Sequence, residues 1–133
     1  MSQFDVDAER ITVFRVGNEY LFSHYFDHRD VFTDLSEYYD EDAYRFEVPV
    51  EDFDEVRERL EDACFAPEVV ADLEAYCVVI GLYDKHAAIL RESVATWERR
   101  GHRFFLMQDE LAVKEALEQG AERVSETDFA LGL

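Results

Sequence analysis

Apolar residues change their spacing several times along this chain, and each change marks an element. Residues 11–26 carry a β-branched and aromatic set: Ile11, Val13, Phe14, Val16, then Tyr20, Leu21, Phe22 and Phe26. Such side chains suit the half-buried surface of a strand. Gly17-Asn18 lies between the two runs and accepts the positive φ angles of a two-residue hairpin loop. That register puts Ile11, Val13, Tyr20, Phe22 and His24 on one face, and Phe14, Val16 and Leu21 on the other. Both faces are apolar, which predicts a hairpin covered on both sides.

From Asp27 the spacing becomes three and four. Val31, Phe32, Leu35, Tyr38 and Tyr39 form a helical stripe, with Asp27 as its N-cap and Asp30 in its first turn. Tyr44, Phe46 and Val48 then alternate with Arg45 and Glu47, a half-buried strand ended by Pro49. Phe53, Val56, Leu60 and Cys64 mark a second helix, whose outer face carries Glu51, Asp54, Glu55, Glu58, Glu61 and Asp62. Pro67 breaks it, and Glu68 to Ala71 fit a short strand. Tyr76 to Ile80 is continuously apolar, as a central strand buried on both faces is. Tyr83, His86, Ala87, Leu90, Val94 and Trp97 predict a third helix, closed by Arg99, Arg100 and Gly101. Arg103 to Gln108 is the next strand. Asp109 caps a last helix that holds Leu111, Ala112, Ala116 and Leu117 and ends at Gly120.

The order is ββαβαβαβα, with an optional strand near residue 70. It predicts an α+β fold: a mixed sheet with an N-terminal β-hairpin and about four helices packed on it. A ferredoxin-like arrangement is one that this order allows. The sequence shows no internal repeat and no linker, so residues 1–133 are expected to form a single domain.

Charge changes the picture more than any motif does. Asp and Glu number 32 against 13 Lys and Arg, a net charge of −19. Eleven Phe, seven Tyr and one Trp speak against disorder. The basic residues are almost all Arg, with Lys only at positions 85 and 114. Such charge strains a compact state by self-repulsion in ordinary salt, and much less in molar salt, where the Debye length is about 3 Å. This is the signature expected of a halophile's cytoplasm. No run approaches the length of a membrane span, the polar, acidic stretch Met1 to Arg10 leads us to expect no signal peptide, and Cys64 and Cys77 form no CxxC pair. The protein is expected to be cytoplasmic, with both thiols reduced and no cofactor.

Candidate chemistry is sparse. His24 and His28 stand four apart with Asp27 and Asp30 beside them, a spacing that puts two imidazoles on one helix face, as zinc sites use. The pair straddles a strand-to-helix junction, and no metalloprotease motif accompanies it, so no metal is assigned. His28-Arg29-Asp30 also spells a kinase triplet, but the Asn expected five residues later is Leu35. Asp84 and His86 offer an acid/base pair, but two-residue spacing points them to different sides of a helix. Arg99, Arg100, His102 and Arg103 are the only basic cluster, with Trp97, Phe104 and Phe105 nearby. Phosphate neutralisation needs more cations than this, which speaks against nucleic acid.

Three stretches together carry a resemblance: Val13-Phe-Arg-Val-Gly-Asn-Glu-Tyr20, Tyr44-Arg-Phe-Glu-Val-Pro49, and Ser93 through Trp97-Glu-Arg-Arg-Gly101 into Phe104-Phe-Leu-Met107. They resemble a conserved, uncharacterised protein family of halophilic archaea. The resemblance spans most of the chain; its motifs are structural, and it implies no activity.

The expectation is a small non-enzymatic interaction or regulatory module that associates with itself or another protein, away from membranes. The tail residues Phe129, Leu131 and Leu133 are the first candidate contact. The alternative is a small-molecule enzyme using His24, Asp27 and His28, with or without a metal.

Overall fold

A computed structural model describes residues 8–127. The chain forms two compact units that divide between Val70 and Ala71. Both are α+β, and the first opens on the expected hairpin.

In unit 1, β1 (Glu9–Val16) and β2 (Glu19–Phe22) are antiparallel, with Val16 opposite Glu19, so the loop is Gly17-Asn18. Gly17 sits at φ 63°, where an L side chain is strained. Helix α1 (Arg29–Leu35) follows and runs into a 3₁₀ turn at Ser36–Tyr38. Next come β3 (Tyr39–Asp40), β4 (Arg45–Pro49), α2 (Phe53–Asp62) and β5 (Phe65–Val70). The sheet order is β3-β4-β2-β1-β5, with β5 parallel to β1 and every other pair antiparallel.

Unit 2 builds β6 (Cys77–Gly81), α3 (Ala87–Arg91), β7 (Ser93–Arg99), β8 (His102–Met107), α4 (Glu110–Glu118) and β9 (Glu122–Arg123). Its sheet is wholly antiparallel, in the order β7-β8-β6-β9. The expected mixed sheet is thus confined to unit 1, and a second sheet stands beside it in the chain.

The strand directions reveal one plan used twice. In unit 2, β6 and β7 point the same way, joined through α3, with β8 between them. Likewise β8 and β9 agree in direction, joined through α4, with β6 between them. Two interlocked split β-α-β crossovers make the ferredoxin-like β-α-β-β-α-β arrangement. In unit 1 the run β2-α1-β3-β4-α2-β5 repeats it, except that β1 is inserted between β2 and β5.

Each unit packs its two helices on one sheet face. In unit 1, Ile11, Val13, Phe22, Phe46 and Val48 meet Leu35 of α1 and Phe53, Val56 and Leu60 of α2. In unit 2, Val78, Ile80, Phe105 and Met107 meet Ile89 of α3 and Ala112, Val113 and Ala116 of α4. The hairpin faces are as read from the sequence: Ile11, Val13 and Phe22 line the helix side, and the cross-strand pair Phe14–Leu21 lies on the opposite face. Asp109 caps α4 by accepting the Ala112 N–H at 2.8 Å.

Equivalent positions recur between the units. A left-handed residue stands two places beyond α2 and two beyond α4: Cys64 at φ 70° and Gly120 at φ 100°. Such a residue ends a helix by turning the chain. Cys64 is therefore exposed beyond the helix end, not on its core stripe as the spacing suggested.

The third predicted helix is the main departure. Only Ala87–Arg91 is helical; Ser93–Arg99 is strand β7, and Arg100-Gly101 is a two-residue hairpin loop with φ 52° and 78°. Val94, Thr96 and Trp97 are strand formers, and pairing with β8 outweighs a stripe that happened to match helical spacing.

Two stability outcomes follow. Phe46 is 1% exposed and touches the rings of Phe22, Phe26, Phe32 and Tyr39 at 4.9, 5.8, 5.8 and 5.0 Å. Phe46→Ala is expected to cost about 3–5 kcal/mol in denaturant unfolding, and Phe46→Leu less than half of that. A Cβ at Gly120 would meet nothing within 4 Å. Gly120→Ala should still cost about 1 kcal/mol in the same measurement, through backbone strain alone.

Candidate functional site

A depression in unit 1 lies beside edge strand β3. It is open, about 430 Å³ in volume, and lined by Glu37, Tyr38, Tyr39, Asp40, Glu41, Asp42 and Glu47. The turn after β3 is built by Asp40, whose Oδ1 accepts the N–H groups of Asp42 at 2.9 Å and Ala43 at 3.2 Å. Those two bonds hold the Asp40 carboxyl below its ordinary value. Tyr38 donates to Asp52 Oδ2 at 3.2 Å. Desolvation raises both the Tyr38 and Tyr39 phenols. Arg45 Nε donates to Glu47 Oε2 at 2.8 Å, close against the same wall. The lining offers carboxylates and neutral phenols, with no imidazole, thiol or amine to act as nucleophile or base. It favours cations but defines no ligand.

The sequence-predicted residues are placed otherwise. His24 Nε2 bonds Glu9 Oε2 at 2.9 Å, and its ring meets the edges of Phe26 and Phe65 at 4.9 and 5.4 Å. It thereby ties the loop after β2 to the start of β1. Asp27, His28 and Asp30 are exposed. The residue preceding α1 is His28, not Asp27, and its side chain makes no capping bond. Because His24 precedes the helix, the four-residue spacing does not stack the two imidazoles on one face. No three His, Cys, Asp or Glu side chains among the described residues gather as a metal site.

Asp84 and His86 lie before α3, not within it. Asp84 Oδ2 accepts the Gly81 N–H at 2.9 Å, closing the turn after β6, and His86 Nδ1 lies 3.1 Å from the Asp84 carbonyl oxygen. The basic cluster occupies the β7–β8 hairpin, where Arg103 pairs with Glu98 at 2.8 Å across the strands. Cys77 is buried, its Sγ donates to the Leu73 carbonyl at 3.3 Å, and burial pushes its thiol up to about 12. An inert structural thiol results. No described helix is long and apolar enough to cross a membrane. The chain matches no family model, no curated protein and no solved structure.

One titrating contact escaped the sequence. Glu92, just after α3, meets Glu115 of α4 and faces Asp109, with Arg91 as an opposing charge. Desolvation first, then the Glu115 carboxylate, raises the Glu92 carboxyl above its ordinary value near 4.5. Folded unit 2 therefore holds this proton more tightly than the unfolded chain. The contact stabilises below pH 4.5 and is lost as pH rises through the higher folded value. At pH 7, Glu92→Gln is expected to raise stability by about 0.5 kcal/mol, as removal of a like-charge pair does. The gain should shrink towards zero below pH 4 in melts run across that range.

Proposed function

We propose that this chain is a small, non-enzymatic interaction or regulatory module of a high-salt cytoplasm, which associates with itself or with another protein. One observation carries the proposal: the sheet of unit 2 ends on strand β7, whose residues 95–98 have a ladder partner on one side only among the described residues. An open ladder edge presents backbone donors and acceptors to a further strand. Tyr25 at 83% and Tyr83 at 96% exposure add aromatic surface of the kind interfaces use. The carboxylates of the open depression accord with binding of a cationic group.

The salt preference rests on the net charge of −19 and on Arg in place of Lys. The resemblance to a family of halophilic archaea accords with it. Phe129, Leu131 and Leu133 fall outside the described residues, and they stand as a second contact to be tested.

Light scattering in molar KCl is expected to give at least twice the chain mass of 15.6 kDa. Dialysis to tenth-molar salt should lower the melting temperature as repulsion is unscreened. A monomer at every concentration, with a melt indifferent to salt, would remove the reading. A chain ending at Val124 that keeps the full-length mass would take the tail out of the contact.

A further inference from the structure

We draw no further inference here: the strongest candidate, the carboxylate-lined depression beside β3 in unit 1, is an acidic cluster on its own, and nothing else among the described residues shows which ligand it would hold.

Discussion

Repulsion among 32 carboxylates governs how this chain is assembled. The acidic side chains are spread over outward surfaces, as on α2, where Asp54, Glu55, Glu58, Glu61 and Asp62 are all exposed while Phe53, Val56 and Leu60 face inward. The arginines are placed among them. Arg59 reaches Glu55 at 3.0 Å, Glu37 at 3.9 Å and the Asp34 carbonyl at 2.9 Å, joining α2 to the turn after α1. Arg10 meets Glu68 across the parallel pair β1–β5. Exposed pairs of this kind contribute about 1 kcal/mol at most. They relieve repulsion locally, and cohesion has to come from the two apolar cores. Two cations are committed to rings instead: Arg15 lies over Tyr20 at 5.8 Å and Arg57 over Phe53 at 5.0 Å, while Tyr20 and Phe53 stack at 4.0 Å. That column clamps the hairpin onto α2 with contacts that high salt screens less than a surface ion pair.

Small cores explain why one plan is used twice. A unit of this size buries a modest share of its surface, so every buried ring counts. The split crossover brings strands that are distant in sequence side by side under two helices, which closes a core with few residues. The equivalence reaches single positions: an aspartate precedes each second helix, Asp52 and Asp109, and a left-handed residue follows each, Cys64 and Gly120. Only Asp109 makes a side-chain capping bond. The plan is therefore set by where the chain turns and which face is apolar, not by identical caps.

The sequence made some of this legible. Gly17-Asn18 announced the hairpin because only a few residue pairs tolerate its loop. The α2 stripe was clear because charge and apolar residues separate cleanly around it. The third helix misled because Tyr83, His86, Leu90, Val94 and Trp97 fall at helical intervals across what is a turn, a short helix and a strand. The β7–β8 loop carried a weak signal, since Arg100 occupies a left-handed position usually taken by Gly or Asn. The duplication left no periodic trace, because topology depends on which strands pair across a helix, and no local pattern encodes that. The His24–His28 spacing would have meant something only on a continuous helix. The carboxylate-lined depression is a product of the Asp40 turn and could not be read from spacing at all.

The sheet edges of the two units also differ. In unit 1, β1 is inserted where the plan would set its first and last strands together, and the widened sheet ends on β3 and on the proline-bearing β5. In unit 2 nothing is inserted: β9 pairs β6 through only Val78–Arg123 and Val79–Glu122, and the opposite side ends on β7. An identical plan thus leaves one unit with two blunt edges and the other with one seven-residue edge strand, whose register shifts between Ser93 and Ala95.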